Sequence, residues 1–371
     1  QPFWLKPLLA EAGLPEAVGP RSLRQARSGW FPGGSTMIGT SKAVAVTASA
    51  LVAIVSLIGC ENHGGDHHHH DDHHHNHSAC KHRIPHVNIA HDVQMPMLAF
   101  GTMTVSNAGC DVHSAVEQWL RLGGRHIDMS LIYKTQPDAG KGIKASGIQR
   151  NDLFLTTKVE GPIGYNESIR QVVDTDLQQV GVEYFDLLLM HWPCPNMSDF
   201  PNKCGPMGKE ERLDTWRGLE ELKRMGKVRA IGVSNFNQEQ VEELTSAGFH
   251  PAVNQVQWHL GYHNDTFLEE MAKLGVTVEA WAPLAGPTKS HLVPGVSLGD
   301  PRLKAVADRY NASTAQVALQ WSMRKGVVPV TATCVEAHAI GDLCASDLDL
   351  SSEDVSYLDS LQENSTVIIS V

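Results

Sequence analysis

The sequence contains no run of lysine or arginine and no stretch in which basic residues alternate with aromatic ones. Its 371 residues include 30 Lys or Arg against 41 Asp or Glu, which leaves a formal net charge of -11. A protein that binds nucleic acid through the phosphate backbone needs a basic surface. The composition therefore argues against a nucleic-acid partner.

Two short motifs are also missing. None of the seven cysteines stands in a CxxC motif, and they are scattered along the chain, so neither a zinc ribbon nor a disulfide framework is indicated. Cys194 and Cys204 lie in one predicted loop, where we expect free thiols, because a disulfide would require an oxidising compartment. No GxGxxG follows the first predicted strand, which argues against a Rossmann domain.

The first 60 residues differ in character from the rest of the chain. Residues 1–36 begin with Gln and show no sustained period, so we assign them no role; a reading frame that starts upstream of the true start would explain them. Residues 37–60 place Lys42 before the apolar run AVAVTASALVAIVSLIG, which is typical of a signal peptide or a short membrane anchor. The alternatives are a translated artefact and a disordered leader.

This leader sets the expected location of the protein. If the segment 37–60 is a genuine signal or anchor, we expect the protein in the secretory pathway or attached to a membrane through 43–59. Otherwise we expect it in the cytoplasm. Residues 61–86 follow as a disordered linker that contains HGGDHHHHDDHHHNH. It is either a solvated spacer or a loose binder of zinc, copper or nickel, and because nothing in it fixes a coordination geometry we expect no defined metal site.

The segment 87–371 alternates short apolar runs with helical patterns. We expect two short strands around His91 and Asp92, and then a first barrel strand that ends at Gly101 and Thr102. Further strands are predicted at 125–128, 153–158, 185–190, 228–233, 253–257, 276–281 and 327–331. Eight such alternations imply an α/β fold, a closed (β/α)8 TIM barrel with an N-terminal β-hairpin, for which about 250 residues are enough.

Four residues of the kind that together protonate a carbonyl oxygen stand at or near the ends of successive predicted strands. Asp128 closes RHID, Lys158 closes LFLTTK, His191 closes DLLLMH, and Tyr133 follows Asp128 by five residues. The carboxyl ends of parallel barrel strands open onto one face. The sequence therefore predicts that these four side chains meet in one pocket.

This arrangement resembles the aldo-keto reductase family. The segments GGRHIDMSLIY, FLTTK and DLLLMHWP match that family's catalytic tetrad in order and spacing, and the resemblance runs from about Val87 to Gln362. It implies an NADP-dependent oxidoreductase with a short C-terminal tail, which reduces aldehydes and ketones to alcohols with NADPH as the hydride donor. NADH is the alternative donor.

Each member of the tetrad then has an expected role. Tyr133 is the general acid, although a free Tyr has a pKa of about 10 and releases its proton reluctantly at neutral pH. The Lys158 ammonium is expected to lower that pKa, and Asp128 to hold the lysine in place and keep it charged. His191 is expected to orient the carbonyl oxygen or to assist the proton transfer.

The resemblance also implies contacts to the cofactor. Ser234, Asn235 and Gln255 are expected to hold the nicotinamide carboxamide, and Trp281 to stack on the nicotinamide ring. Four further positions correspond to backbone that lies beside the nicotinamide ribose or the pyrophosphate: Gly101, Thr102, Ala282 and Leu284.

The chain departs from the family at three places. Gln136 stands where the family's YxNE segment has Glu, and Gln257 replaces the Glu of NQxExH. Many members bind the 2′-phosphate of NADP with a basic PKSxxxxR segment, where this chain offers Thr331, Thr333 and His338 instead. We therefore expect NADPH to be preferred by less than in those members.

The substrate side of the pocket is less informative. Met103 and Trp192 are expected to face the substrate, and because the tail after Gln362 is short, substrate selection should be loose. We expect a monomer whose partner is a small-molecule carbonyl. The alternative is a catalytically weak barrel that acts as a nicotinamide-binding regulatory module.

Overall fold

A computed structural model describes residues 84–194, 208–285 and 296–362. The described chain opens with an antiparallel hairpin of β1 (His86–Ala90) and β2 (Val93–Pro96). The turn between them includes Asp92 with a φ of 57°, a left-handed conformation that Asp tolerates better than most residues. This confirms the two predicted strands around His91 and Asp92.

Eight parallel strands close into a barrel, in which each strand pairs with the next one along the chain and the last pairs with the first. This confirms the predicted TIM barrel, and the bounds of its strands differ from the predicted ones by at most one residue. The strands are β3 (Ala99–Gly101), β4 (His126–Asp128), β5 (Phe154–Val159), β6 (Phe185–Met190), β7 (Val228–Ser234), β8 (Val253–Gln257), β9 (Thr277–Trp281) and β10 (Val328–Thr331).

The helices surround this barrel. They are α1 (Thr102–Asn107), α2 (Val112–Arg121), α3 (Gln136–Ser146), α4 (Tyr165–Gln171), α5 (Leu177–Val180), α6 (Lys209–Arg224), α7 (Gln238–Ser246), α8 (Asp265–Lys273), α9 (Pro301–Arg309), α10 (Thr314–Arg324), α11 (Glu336–Cys344) and α12 (Ser352–Asp359). A π-helical turn, Val172–Asp176, joins α4 to α5. Short 3-10 turns lie at Leu131–Tyr133, Arg150–Asp152 and Ala345–Asp347.

Local sequence signals explain where several helices begin. The side chains of Asp111, Asn237 and Ser313 each accept a hydrogen bond from a backbone N–H in the first turn of α2, α7 and α10. In α7 and α10 a Gln three residues later returns the bond and completes a capping box. Loss of such a cap typically costs about 1 kcal/mol.

The interior of the barrel is apolar at most positions but contains a group of buried polar side chains. Every residue of β5 and β6 is buried, as expected for parallel strands covered on both faces. Polar residues nevertheless stand within β4, β5, β8 and β9 and are at most 3% exposed: His126, Asp128, Lys158, Gln255 and Glu279. Because buried charges require partners, these residues mark the place where the fold departs from a simple hydrophobic core.

A disulfide joins Cys110 to Cys334, which are 224 residues apart in sequence. The expectation that no disulfide framework exists is therefore wrong. The expectation of a free thiol is also wrong at Cys194, which is disulfide-bonded, as is Cys344; Cys204 lies outside the described residues. Closure of the barrel explains the Cys110–Cys334 bond. The first and last barrel strands, β3 and β10, pair with each other, so the segments that follow them become neighbours.

The predicted leader, residues 1–36 and 37–60, lies outside the described residues, as do residues 61–83 of the linker predicted over 61–86. Within the described ranges, none of the helices has both the length and the apolar character needed to cross a bilayer.

Candidate active site

The base of the site is an ion pair between two neighbouring barrel strands. Asp128 ends β4, and Lys158 lies one residue before the end of β5. The Lys158 Nζ donates to Asp128 Oδ1 at 2.7 Å and to Oδ2 at 2.6 Å, and also to the Met129 carbonyl at 3.1 Å. Lys158 is fully buried, so all three donors of its ammonium group are used inside the protein.

The other two tetrad residues lie above this pair. Tyr133 ends the 3-10 turn that follows β4, and its ring centroid is 5.0 Å from Lys158 Nζ. The Tyr133 hydroxyl is 3.3 Å from His191 Nε2, and Ser130 Oγ is 3.3 Å from His191 Nδ1. The structure thus brings together the four side chains that the sequence selected, and it adds Ser130, which the sequence analysis did not single out.

The acidity of Tyr133 differs from the expectation. Burial raises the pKa of Tyr133 to about 12, and the positive charge of Lys158 opposes this rise only in part. Burial by itself would lower the pKa of Lys158, but the charge and hydrogen bond of Asp128, together with the charges of Tyr133 and Glu279, outweigh burial and the pKa is raised. The prediction of a lowered Tyr133 pKa is therefore wrong, whereas the prediction of a charged Lys158 fits.

His191 is neutral at physiological pH. Burial, followed by the charge of Lys158, lowers its pKa well below the usual value of 6.5. A neutral imidazole has one N–H donor and one acceptor nitrogen. His191 can therefore orient a carbonyl oxygen by a hydrogen bond, and it cannot serve as a ready imidazolium acid.

One amide connects Trp281, the aromatic residue predicted to meet the cofactor, to the tetrad. Asn235 follows β7 with a φ of 63°, and its Nδ2 donates to the His191 carbonyl at 3.0 Å. Its Oδ1 accepts from Trp281 Nε1 at 2.9 Å. Ser234 Oγ donates to the Gln255 carbonyl at 2.8 Å. The carboxyl ends of β6, β7, β8 and β9 are thus fixed relative to one another.

These residues suit a nicotinamide ring. Trp281 offers a flat, half-buried indole at the end of β9, and the hydroxyl and amide groups of Ser234 and Asn235 lie at the end of β7, on the other side of β8. Hydrogen-bonding groups beside an aromatic plane are what a carboxamide on a flat ring requires. Ala282 and Leu284 lie in the turn directly after Trp281. Ala282 has a φ of 53°, and Leu284 packs partly against the core.

The remaining predicted cofactor and substrate positions lie at or just after the carboxyl ends of β3 and β6. A Cβ on Gly101 would lie 3.0 Å from Val330 Cγ1, so the absence of a side chain lets β3 approach β10. Thr102 Oγ1 donates to the Asp128 carbonyl at 3.1 Å. Met103 is 46% exposed in α1, and the Trp192 ring stacks on His191 at 5.2 Å.

The segment predicted to meet the 2′-phosphate is already partly engaged. Thr331 Oγ1 donates to Asp342 Oδ2 at 2.8 Å, and Thr333 Oγ1 accepts from the Val335 N–H. His338 is exposed. Between Val328 and Cys344 the chain has neither Lys nor Arg, so a phosphate bound here would meet hydroxyls, backbone and one imidazole.

Gln255 makes contacts that the sequence analysis did not anticipate. Its Nε2 donates to Asp128 Oδ2 at 2.9 Å and to Glu279 Oε2 at 2.7 Å. Its predicted contact with the cofactor stays a prediction. The sequence signal for Glu279 was available, because a carboxylate in the middle of the apolar run VTVEAW is unusual unless it has a buried partner.

A second buried acid lies beside the loop that carries Tyr133. Gln136 Nε2 donates to Thr157 Oγ1 at 2.8 Å, and Gln136 also contacts Asp176 in the π-helical turn. Burial raises the pKa of Asp176 to about 7. The Gln that replaces the family's Glu therefore has partners of its own.

Comparison with known proteins agrees with this geometry. The model of the Aldo/keto reductase family matches residues 97–363. Glyoxal reductase of Bacillus subtilis (strain 168) is 34% identical over 282 residues, which cover 76% of this chain and 94% of that protein. Morphine 6-dehydrogenase of Pseudomonas putida is 30% identical, over 75% of this chain and 91% of that protein.

Solved structures give the same result. An aldo/keto reductase from Brucella melitensis has 32% sequence identity and a TM-score of 0.65, over 75% of this chain and 100% of that one. A Bombyx mori aldo-keto reductase in complex with NADP has 26% identity and a TM-score of 0.68, over 76% of this chain and 94% of that one. With a family model that spans the barrel and relatives aligned along nearly their whole length, this chain belongs to the aldo/keto reductase family of oxidoreductases, which act on carbonyl groups.

Proposed function

We propose that this protein reduces aldehydes and ketones to alcohols with NADPH, and that Tyr133 gives the proton to the carbonyl oxygen. One observation carries the proposal: a buried ammonium, Lys158, lies 5.0 Å from the Tyr133 ring, and the Tyr133 hydroxyl lies 3.3 Å from His191. A bound nicotinamide supplies the hydride to the carbonyl carbon. The protein has to orient the carbonyl and protonate its oxygen.

The charge state of the tetrad suits reduction. With a pKa of about 12, Tyr133 carries its proton throughout the neutral range and is ready to donate. The alkoxide that forms on hydride addition is a stronger base than a phenolate, so the proton moves downhill. Lys158 then stabilises the phenolate left on Tyr133, and Asp128 keeps that lysine in place.

The preference for NADPH has two supports. The Bombyx mori relative was solved in complex with NADP. In this chain the positions of the basic 2′-phosphate segment are held by the uncharged residues Val330, Thr331 and Thr333, so none of these three side chains would repel the phosphate. The missing cations weaken the preference, because one charge-assisted hydrogen bond is worth about 1.5 to 3 kcal/mol. NADH is the alternative donor.

The test of the proposed function is a panel of aldehydes and ketones offered to the full chain with NADPH and with NADH. Turnover is followed by the loss of reduced-nicotinamide absorbance. A Tyr133→Phe variant should lose about two to four decades of kcat, the usual range for general acid catalysis. Its affinity for NADPH, measured by quenching of Trp fluorescence, should stay almost unchanged, because the cofactor is held by residues on other strands.

Two outcomes would contradict the proposal. If no carbonyl in the panel is reduced while NADPH still binds, the barrel acts as a nicotinamide-binding module. If Tyr133→Phe keeps most of the wild-type kcat, the proton comes from another group.

We also propose that the protein matures in an oxidising compartment. All four cysteines within the described residues are disulfide-bonded: Cys110, Cys194, Cys334 and Cys344. Disulfides persist mainly in secreted and cell-surface proteins. An export signal at 37–60 and attachment through 43–59 agree with this proposal. N-terminal sequencing of the native protein tests it, with a mature start after the apolar run expected for a cleaved signal.

A further inference from the structure

A carboxyl group lies beneath the tetrad and has no part in the chemistry described so far. Glu279 is in the middle of β9 and is fully buried inside the barrel. It pairs in register with Gln255 on β8 and with Val328 on β10. The proposed proton transfer uses the carboxylate of Asp128 but assigns nothing to Glu279.

One amide nitrogen joins Glu279 to the tetrad. Gln255 Nε2 carries two hydrogens, and it donates one to Asp128 Oδ2 at 2.9 Å and the other to Glu279 Oε2 at 2.7 Å. Asp128 Oδ2 in turn accepts from Lys158 Nζ at 2.6 Å. A continuous chain of three hydrogen bonds therefore runs from Glu279 to the ammonium beside Tyr133.

The other oxygen of Glu279 has no donor. Its Oε1 lies 3.7 Å from His126 Nε2 and makes no hydrogen bond. His126 Nδ1 lies 3.2 Å from the Pro96 carbonyl, and because a carbonyl can only accept, Nδ1 carries the hydrogen. In neutral His126, Nε2 then carries no hydrogen, and its lone pair accepts a hydrogen bond from Thr156 Oγ1 at 2.9 Å.

His126 is in that neutral form. Burial lowers its pKa to about 4, so it offers Glu279 Oε1 no N–H and no positive charge at neutral pH. An ionised Glu279 would then have Gln255 as its one hydrogen-bond donor. A buried carboxylate with so little support favours its neutral form.

The charges around Glu279 also favour its neutral form. Within the described residues, the titratable groups around Glu279 come from β4, β5 and the turn after β4, and neither β8 nor β10 contributes one. They are His126, Asp128, Lys158 and Tyr133. Lys158 is already paired with Asp128, so a second negative charge would have no cation of its own. Burial first, and then the Asp128 charge, raise the pKa of Glu279 to about 8.

We infer that Glu279 is a positioning residue for carbonyl reduction, which in its neutral form holds Gln255 and Asp128 in place and in its ionised form slows proton transfer from Tyr133. The inference rests on the proposed function. Negative charge develops on the carbonyl oxygen and passes to Tyr133 as the proton leaves. An ionised Glu279 repels that charge, which makes Tyr133 a weaker acid.

The test is the pH profile of kcat with NADPH and a good aldehyde substrate, for wild type and for Glu279→Gln. The wild-type kcat should be constant near neutral pH and fall about three- to tenfold as the pH rises through 8, because the charge of an ionised Glu279 raises the pKa of Tyr133. Glu279→Gln keeps the size of the side chain and cannot ionise. Its profile should stay flat over the same range.

Asp176→Asn is the matched control. Asp176 is also a buried acid whose pKa is raised, to about 7, but it lies outside the chain of hydrogen bonds that ends at Lys158. Asp176→Asn should therefore keep the alkaline fall of kcat. If it abolishes that fall, or if Glu279→Gln retains it, the inference is overturned.

A uniform loss of kcat in Glu279→Gln, with the wild-type profile unchanged, would show a merely structural role and also overturn the inference. If Glu279→Gln does not fold, infrared titration of the wild-type protein decides instead. The carbonyl band of a protonated carboxyl should disappear as the pH passes 8, and a spectrum without that loss contradicts the assignment. If no carbonyl is reduced at any pH, it is the proposed function that fails.

Discussion

The bond between Cys110 and Cys334 should make a large contribution to the stability of the barrel. In the chain-entropy model, a cross-link stabilises by restricting the unfolded chain, and the effect grows with the length of the closed loop. A separation of 224 residues gives about 5 kcal/mol at 25 °C. That is a large share of the roughly 5 to 15 kcal/mol by which most domains are stable.

The measurement is urea-induced unfolding of wild type and of a Cys110→Ser/Cys334→Ser double variant, both without reductant. The double variant should lose free energy of unfolding on the order of 5 kcal/mol, and each single variant should lose about as much as the double one. Reduction of the wild-type protein is a poorer test, because it also breaks the bonds at Cys194 and Cys344.

Two results would refute this reasoning. Alkylation of the native, unreduced protein followed by mass spectrometry should label neither Cys110 nor Cys334, and labelling of both would show that the bond is absent. A double variant whose free energy of unfolding lies within about 1 kcal/mol of wild type would show that the cross-link does not restrict the unfolded chain as the model assumes.

Three further predictions follow from the site. Lys158→Met leaves Asp128 as a buried, uncompensated carboxylate, so urea unfolding should show a loss of about 3 to 5 kcal/mol, and stability equal to wild type would contradict the ion pair. The kcat of Lys158→Met should fall as far as that of Tyr133→Phe. The kcat of the Tyr133→Phe/Lys158→Met double variant should be little lower than that of either single variant, since the effects of residues that act as a unit are not additive. NADPH should have a higher kcat/KM than NADH. The ratio of the two kcat/KM values should be about one to two decades smaller than in relatives with the basic segment, and Val330→Lys should raise that ratio. A higher kcat/KM with NADH would reverse the assignment.

The strands and the tetrad could be predicted because their signals are local. Each barrel strand is a short apolar run between turns, and Asp128, Lys158 and His191 stand at or next to the ends of three of them. The disulfide could not be predicted in this way. Cys110 and Cys334 become neighbours only when β3 pairs with β10, which is a property of closure and leaves no mark on either local segment.

The pKa of Tyr133 was mispredicted for a related reason. The sequence places Lys158 beside Tyr133 but does not say how deeply the phenol is buried, and burial outweighs the charge of the lysine. The partners of Gln255 were missed because its amide points to Asp128 and Glu279, which lie 127 and 24 residues away. Both errors concern contacts across the inside of the barrel.

The Asn235 amide has a consequence for anyone who wishes to redesign this enzyme. It accepts from the Trp281 indole and donates to the backbone of His191, so the proposed stacking surface and the group proposed to orient the carbonyl share one support. A substitution that moves Trp281 is therefore expected to shift the backbone at His191 as well. The distance between a hydride donor and its acceptor is therefore not a quantity that point mutations on β9 can adjust alone, and libraries aimed at cofactor geometry should vary residues 191, 235 and 281 together.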